Sequence, residues 1–457
     1  SKGIVLDIDN IDIEDVPTYE LYSDGRTIGT FQFESAGMQK YLRELQPTTF
    51  EDLIAMNALY RPGPMDYIPD FIDRKHGRKP IEYDIPIMEK YLKDTYGITV
   101  YQEQVMLLSR LLADFTRGES DALRKAMGKK LRDKLDQMKP KFITGGQKNG
   151  HDPKVLEKIW ADWEKFASYA FNKSHATCYS WVAYQTAYLK AYYPRAFMAA
   201  LLTSVIGDEG KTIGYIEECK RLNIKVLSPH VNRSGNRFSV VGNDIVFSLL
   251  SIKNLGRALI DKIERERKEN GEFKTFWDFC KRISGNELNR RALESLIKSG
   301  ALDGLDLNRR EMLTNLDIAI TAAAKENSMY EGGQLDMFSA FGGDEEFSSA
   351  PDFTKCEELP KNERLYFEKE VSGMYFSGHP LEEYRSISEA LNSPKTSYLY
   401  ECLEAGKEND IDNQNVSFLG VVTSVKKKVT KKDEIMAFCG VEDLFGNIEM
   451  IVFPKNF

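Results

Sequence analysis

The densest chemistry in this sequence is cationic. From Arg124 to Lys141 eight basic residues stand against two acidic ones, and Arg124, Lys125, Lys129, Lys130, Arg132 and Lys134 crowd the front of that run. At about 3.6 residues per turn they cannot all share one helix face, although Lys125 and Lys129 are close enough in sequence to be neighbours. Such a cluster suits phosphate oxygens, for which charge and counterion release supply binding without reading base sequence. Gly128, in the run AMGKK, lets backbone N–H groups approach the same anion. A solvated helix face has the same composition, so spacing alone leaves both readings open. A second constellation is Phe171-Asn172-Lys173-Ser174-His175, just ahead of an aromatic stretch. Asn172 or Ser174 can cap the helix that follows, and a helix N-terminus favours anions. Lys173 then stands where a triphosphate would lie, with Ser174 and His175 beside it. A plain cap with a hydrogen-bonded His175 is the competing reading. Tyr60-Arg61-Pro62-Gly63-Pro64 is a rigid turn presenting Arg61, and structural turns of this kind are common.

Two further segments carry recognition rather than catalysis. Ser251 to Arg267 reads SIKNLGRALIDKIERER, an apolar start, an Asn-Leu-Gly turn and an amphipathic helix. That is a helix–hairpin–helix candidate. Gly256 lets N–H groups face a DNA phosphate whatever the base, and Lys253 and Arg257 add charge. Leu293 to Leu305, with Gly300 and Gly304, is a weaker companion. Gln334-Leu335-Asp336-Met337-Phe338 interrupts a polar stretch with bulky apolar groups that have no local core to join. Such groups dock into a partner's groove, or pack as a satellite on the neighbouring domain.

The elements that must position these groups follow from pattern. With 457 residues, two to four domains are expected. The formal charge of −8 argues against a generic nucleic-acid binder, but charge is segregated: residues 1–30 hold seven acidic residues and two basic ones. The six cysteines are scattered with no CxxC pair, which fits a reduced, cytoplasmic protein and gives no zinc signature. No apolar run is long enough for a membrane span, and the opening residues lack a basic stretch followed by an apolar one, so they are not expected to be a signal peptide. Residues 17–115 read as short strands mixed with helices, Phe50–Tyr60 and Tyr101–Phe115 being helical. Residues 119–205 read as strongly helical, with Ser120 a candidate cap and Tyr179–Leu202 one long aromatic helix. Arg237–Val241 and Asp244–Leu249 form a hairpin about Gly242-Asn243. Short helices fill 251–325, a flexible linker 326–358, and alternating strands 416–457. The chain opens without methionine and closes inside a strand-like run, so a piece of a longer protein is expected.

Several long motifs resemble one family. GTFQFES (29–35), LYRPGPM (59–65), FIDRKHGRKP (71–80), YGITVYQEQVM (96–106), LRKAMGKK (123–130) and FNKSHATCYSWVAYQTAYLKAYYP (171–194) are similar to the fingers of bacterial DNA polymerase III alpha subunits, the DnaE-type, C-family replicative polymerases. LNRRALESLIKSGALD (288–303) and GMYFSGHPL (373–381) match further on. The resemblance implies a multidomain order. Residues 1–16 would connect from a palm, and 17–240 would form a mainly α-helical fingers domain. Residues 241–325 would be a tandem helix–hairpin–helix DNA-binding domain, and 326–358 a linker with a clamp-binding motif at 334–338. A connecting region, 359–414, would lead to a truncated OB-fold β-barrel at 415–457. It implies template-directed addition of deoxynucleotides to a primer by the full-length polymerase. The catalytic aspartates and their Mg²⁺ would lie outside this chain, which would hold no catalytic residue, metal or cofactor of its own. Asp7-x-Asp9 looks like a metal pair but matches the connector. The resemblance assigns Arg61, Arg124, Lys125, Lys129, Lys130, Lys173, Ser174 and His175 to nucleotide phosphates. It assigns Lys253, Gly256 and Arg257 to DNA, and Gln334, Leu335, Asp336, Met337 and Phe338 to the sliding clamp, the beta subunit. Implied partners are primer–template DNA, deoxynucleoside triphosphates, the clamp and other replicase subunits, with no membrane. A non-catalytic, clamp-tethered DNA-binding scaffold is the alternative.

Overall fold

The computed structural model describes residues 3, 5–129, 131–166, 171–331, 350–391, 393–404, 412–444 and 446–457. Contacts divide the chain into two compact units, Ser1–Tyr192 and Tyr193–Phe457, so the division falls inside the segment expected to form one fingers domain, 17–240.

The first unit is helical: α1 (Val16–Ser23), α2 (Ala36–Leu45), α3 (Phe50–Leu59), α4 (Ile68–Lys75), α5 (Glu89–Leu92), α6 (Gln102–Ala113), α7 (Arg117–Gly128), α8 (Arg132–Lys148), α9 (Pro153–Phe166) and α10 (Lys173–Tyr192). The strands expected within 17–115 are replaced by helices among the described residues, with one isolated parallel bridge, Tyr101 to Phe171. Helix α3 starts on a reciprocal cap between Thr49 and Asp52, and every residue from Asp52 to Leu59 is buried. It packs on α10, whose Ala176, Ser180, Ala183, Tyr184 and Ala187 form one buried face. Small residues at helical spacing let the two helices approach closely. A buried charge fixes the far end. Asp52 accepts from Lys75 at 2.5 Å, from Thr48 N at 2.9 Å and from Tyr96 Oη at 2.9 Å.

A second core joins α6 to α9. Phe142 of α8 meets Phe115, Trp160 and Trp163 with ring centroids 4.9 to 6.2 Å away. A Cβ on Gly145 would collide with the Ala113 carbonyl, so glycine is needed where α8 crosses the end of α6. Helix α7 begins after Thr116, not at Ser120. Thr116 and Glu119 cap each other's backbone, while Ser120 lies inside the first turn and donates to the Arg117 carbonyl. The reciprocal cap needs an acceptor three residues on, and only Thr116 has one. The long helix expected over Tyr179–Leu202 breaks at Tyr193. Pro194 has no N–H and disfavours helical geometry before it, so α10 ends at Tyr192 and α11 (Pro194–Ser204) begins anew.

In the second unit, α11 and α12 (Glu209–Arg221) pack with a small sheet of β1 (Val226–Leu227), β2 (Ser239–Val241) and β3 (Asp244–Val246). Strand order is β1-β3-β2. The β2–β3 pair is antiparallel across Gly242-Asn243, and β1–β3 is parallel. A core from Val231 to Val371 gathers α13 (Arg257–Asn270), α14 (Phe276–Ile283), α15 (Arg290–Lys298), α16 (Arg309–Thr314) and α17 (Leu316–Glu331), with α18 (Lys361–Ser372). Two short helices, α19 (Arg385–Ala390) and α20 (Thr396–Glu404), precede an antiparallel meander of β4 (Val421–Val429), β5 (Ile435–Glu442) and β6 (Asn447–Val452), a sheet consistent with part of an OB-type fold.

One buried ion pair organises this unit. The side chains of Arg309 and Glu368 are 2 % and 0 % exposed and meet at 2.8 Å, with Asp303 on the same guanidinium at 2.6 Å. Glu368 also accepts from Phe376 N at 2.6 Å and Ser377 N at 2.9 Å, which wraps the GMYFSGHPL segment around it. Removing Arg309 would leave a carboxylate buried without its cation, at a cost of about 3–5 kcal/mol. Arg309→Ala is therefore expected to lower the denaturant midpoint of this unit strongly. Arg310→Ala, at a half-exposed neighbour, should shift it by less than about 0.5 kcal/mol. Equal shifts in the two variants would show that the pair does not organise the unit.

Candidate nucleic-acid interface

In the first unit the FNKSH segment is pinned to the start of α6. Gln102 N donates to the Phe171 carbonyl at 2.9 Å. Glu103 accepts from Lys173 N at 2.9 Å and from the Asn172 side-chain amide at 2.6 Å. Asn172 is the cap: its Oδ1 accepts from His175 N at 2.8 Å, while Ser174 is exposed and makes no capping bond. The anion favoured at this helix end is thus already supplied by the chain, as the Glu103 carboxylate.

The cationic side chains stand around that junction. The Arg61 guanidinium lies 3.4 Å from the centroid of the Phe171 ring, and burial lowers its pKa. Lys173 Nζ sits 5.4 Å from the Tyr101 ring centroid. His175 packs on Tyr179 at 4.1 Å and meets the edge of Phe171 at 5.4 Å, and Tyr179 continues to Phe31 at 5.2 Å. The basic helix ends beside the same place. A Cβ built on Gly128 would stand 3.5 Å from the Gln102 side-chain amide, and Gln102 is the residue bonded to Phe171. The end of α7 and the start of α10 therefore meet across Gln102, and Lys129 is exposed at that end.

The basic run is not uniformly free. Arg124 and Lys125 share Asp121 at 2.8 Å each, and their hydrogen bonds hold its carboxyl below the usual range. Lys141 is paired with Glu119. Lys130 and Gln334–Phe338 lie outside the described residues. Glu103, Gln102, Tyr101 and Tyr179 carry much of the geometry, and the residue chemistry of their own segments did not single them out. The polar residues at 102–104 that open α6 were the available signal.

In the second unit the Ser251–Arg267 segment folds as a hairpin into a helix. Ile252 and Leu255 are buried, Asn254 takes the left-handed conformation with φ 66°, and Gly256 is the N-cap of α13. No atom lies within 4 Å of the position a Cβ on Gly256 would take, so its backbone faces open space. Arg257 is exposed. Lys253 is exposed too, but its N–H donates to the Val371 carbonyl and its Nζ to the Glu370 carbonyl, at 2.8 and 2.7 Å. The companion hairpin is closed. Gly300 has φ 78°, but the space beside it is filled by the Arg309 guanidinium and Asp303.

Asp7 and Asp9, spaced like a metal pair in sequence, are hydrogen-bonded within the first unit. Asp7 caps a short turn by accepting from Asp9 N at 3.2 Å and from the Asn10 amide, and Asp9 accepts from Gln185 at 3.1 Å. Among the described residues no group of three or more His, Cys, Asp or Glu side chains converges to hold a metal ion. No described helix is long and apolar enough to cross a membrane.

Comparison with known proteins bears on these sites. Residues 1–150 match the family model for the bacterial DNA polymerase III alpha subunit finger domain, and residues 223–312 match the helix–hairpin–helix motif. The chain is 42% identical over 451 residues to a DNA polymerase III subunit alpha of Borreliella burgdorferi, covering 98% of this chain and 39% of that protein. It is 41% identical to the Bacillus subtilis protein of the same name, over 100% of this chain and 40% of that one. For Thermus aquaticus the values are 40%, 100% and 37%. The chain thus spans about two-fifths of the length of the curated relatives it matches.

The cap that starts α7 is also a titrating element. Glu119 takes a hydrogen bond from Lys141 and others from Thr116, which lower its pKa from 4.5 to about 2. A carboxylate whose folded pKa is depressed contributes stability above its unfolded pKa and loses it as pH falls through the folded one. The stability difference between the wild type and Glu119→Gln is expected to stay level from neutral pH to about 5, then shrink toward pH 2. A difference that does not change across that window would remove this role.

Proposed function

We propose that this chain, which belongs to the bacterial DNA polymerase III alpha-subunit family, serves template-directed DNA synthesis by holding nucleotide phosphates and duplex DNA. One observation carries the reading: the end of the basic helix and the FNKSH turn meet across Gln102, with Arg61 packed on Phe171. Lys129, Lys173 and Arg61 then surround one anionic group. Arg124 and Lys125, tied to Asp121, contribute field more than direct contact, and Lys130, Ser174 and His175 complete the phosphate set. Such fixed cations stabilise a triphosphate as charge moves onto its leaving group, and they position it for in-line attack. Glu103 occupies the Lys173 N–H and Asn172 Oδ1 the His175 N–H at the start of α10, so the phosphates are taken by side chains rather than by that helix end.

The nucleotidyl transfer itself belongs, in this reading, to other parts of the polymerase. Among the described residues, the Asp7 and Asp9 carboxylates do not fit a catalytic Mg²⁺, because they are engaged with the backbone and with Gln185. Lys253, Gly256 and Arg257 hold duplex DNA through phosphates, without a base code. Gln334 to Phe338 tethers the polymerase to the sliding clamp. Met337 and Phe338 bury much apolar surface at modest ordering cost, about 1.5–3 kcal/mol each before that cost is subtracted. Other replicase subunits, and a cytoplasmic setting, follow from the same family reading.

Each lysine that contacts a phosphate contributes a charge-assisted bond of about 1.5–3 kcal/mol. In a full-length polymerase, Lys129→Ala and Lys173→Ala are each expected to reduce kcat/KM for deoxynucleotides by about 10- to 100-fold. Wild-type steady-state constants in both variants would end the phosphate assignment. The tether is tested by titrating purified clamp against this chain and against Met337→Ala/Phe338→Ala. Affinity is expected to fall by about 10-fold or more in the double variant, and equal affinities would place the clamp contact elsewhere.

A further inference from the structure

A second cationic surface lies next to the open hairpin, in a half-open cavity of about 440 Å³. Four arginines line it, Arg233, Arg237, Arg257 and Arg267, against two carboxylates, Asp261 and Glu264. Both carboxylates are engaged. Glu264 accepts from Asn236 N at 2.9 Å, and Asp261 accepts from the Asn236 side-chain amide. Gly235 is required there, because a Cβ would collide with the Glu264 carboxylate. Arg267 donates to the carbonyls of Val231 and Ser234 at 2.5 and 2.9 Å. These bonds hold the 233–237 loop against α13.

The remaining three arginines are different. Arg233, Arg237 and Arg257 are exposed, and among the described residues no ion pair or side-chain hydrogen bond engages their guanidinium groups. Like charges held around one cavity repel, and an anion between them relieves that repulsion. Guanidinium forks match phosphate oxygens in geometry as well as charge. Among the described residues no aromatic side chain lines the cavity, so it offers no ring platform for bases. Its position names the source of the phosphate. Arg257 is the first residue of α13, directly after Gly256, so the cavity continues the open face of the hairpin. A DNA strand carries one phosphate per about 3.4 Å of axis, so a strand held at Gly256 presents further phosphates beside it.

We propose that this cavity is a DNA-backbone site in which Arg233 and Arg237, together with Arg257, hold phosphodiesters of the strand that leaves the Gly256 hairpin. This deepens the duplex-binding part of the proposed function and rests on it. The site reads charge and spacing, and it is indifferent to sequence.

The test compares salt dependence of duplex binding by the whole chain, followed by fluorescence anisotropy. Wild type, Arg233→Ala/Arg237→Ala, Arg233→Lys/Arg237→Lys and Arg257→Ala are measured. Each lost phosphate contact lowers the slope of log K against log salt by about 0.9. The Ala pair should therefore lose nearly two units of slope, equally on duplexes of different sequence, with an unchanged melting temperature. The Lys pair should keep most of the slope. An unchanged slope in the Ala pair, with Arg257→Ala weakened, would overturn the pocket and leave the hairpin reading standing. Wild-type chain that does not bind duplex at any salt would overturn both. Inorganic phosphate that binds in an Arg233- and Arg237-dependent way, with the duplex slope unaffected, would make the cavity a small-anion site and overturn the proposal.

Discussion

The first unit depends on a junction two residues wide. Gln102 holds the Phe171 carbonyl through its backbone and stands against Gly128 through its side chain, while Glu103 holds Asn172 and the start of α10. Three helix ends meet there that sequence keeps apart by tens of residues. A polar junction of this kind is costly to leave unmade, because each lost partner leaves a part-buried donor or acceptor unpaired. Without it the end of α7 and the start of α10 would not meet, and Arg61 would lose the ring on which it rests. The carboxylate of Glu103 has a second consequence. It places a negative charge at the positive end of α10, among the lysine and arginine side chains that surround the junction.

In both units the pairing of charges, more than their number, decides what the surface can do. The chain carries a formal charge of −8, yet its cations are distributed unevenly between tied and free. Arg124 and Lys125 are tied to Asp121, Lys141 to Glu119, and Arg309 to Asp303 and Glu368. The two hairpins of the second unit make the contrast directly. One turn is open at Gly256, with exposed arginines around it. The other, at Gly300, is filled by Arg309, whose buried pair with Glu368 joins α16 to α18. Similar hairpin patterns thus leave one turn open and fill the other with an ion pair that joins two helices.

Much of this was legible in the sequence where the signal is local. The cap at Asn172, the turn at Gly242-Asn243 and the hairpin at Gly256 rest on residues within a few positions of one another. The helices of 119–205 and 251–325 and the closing strands followed from pattern, whereas 17–115, read as strands mixed with helices, is helical among the described residues. Local reading went astray where two local signals competed. Ser120 looks like a cap, but Thr116 has the acceptor three residues on that completes one. The long aromatic run conceals Pro194, which divides it. The rest was invisible for a physical reason. Glu103 meets Lys173 across 70 positions, and Arg309 meets a carboxylate in a different helix, so neither partner is written near the other. Arg233 and Arg237 sit in an unremarkable loop whose importance arises only when Glu264 and Asp261 draw it onto α13.

The central claim is that Lys129 and Lys173 act on one anionic group because the junction at Gln102 brings their helix ends together. A double-mutant cycle in a full-length polymerase tests it most directly. It reads kcat/KM for deoxynucleotides in Lys129→Ala, Lys173→Ala and the combined variant. A shared site predicts a coupling of about 0.5–3 kcal/mol, so that the combined loss is smaller than the product of the single losses. Losses that multiply independently would place the two lysines at separate sites and contradict the account.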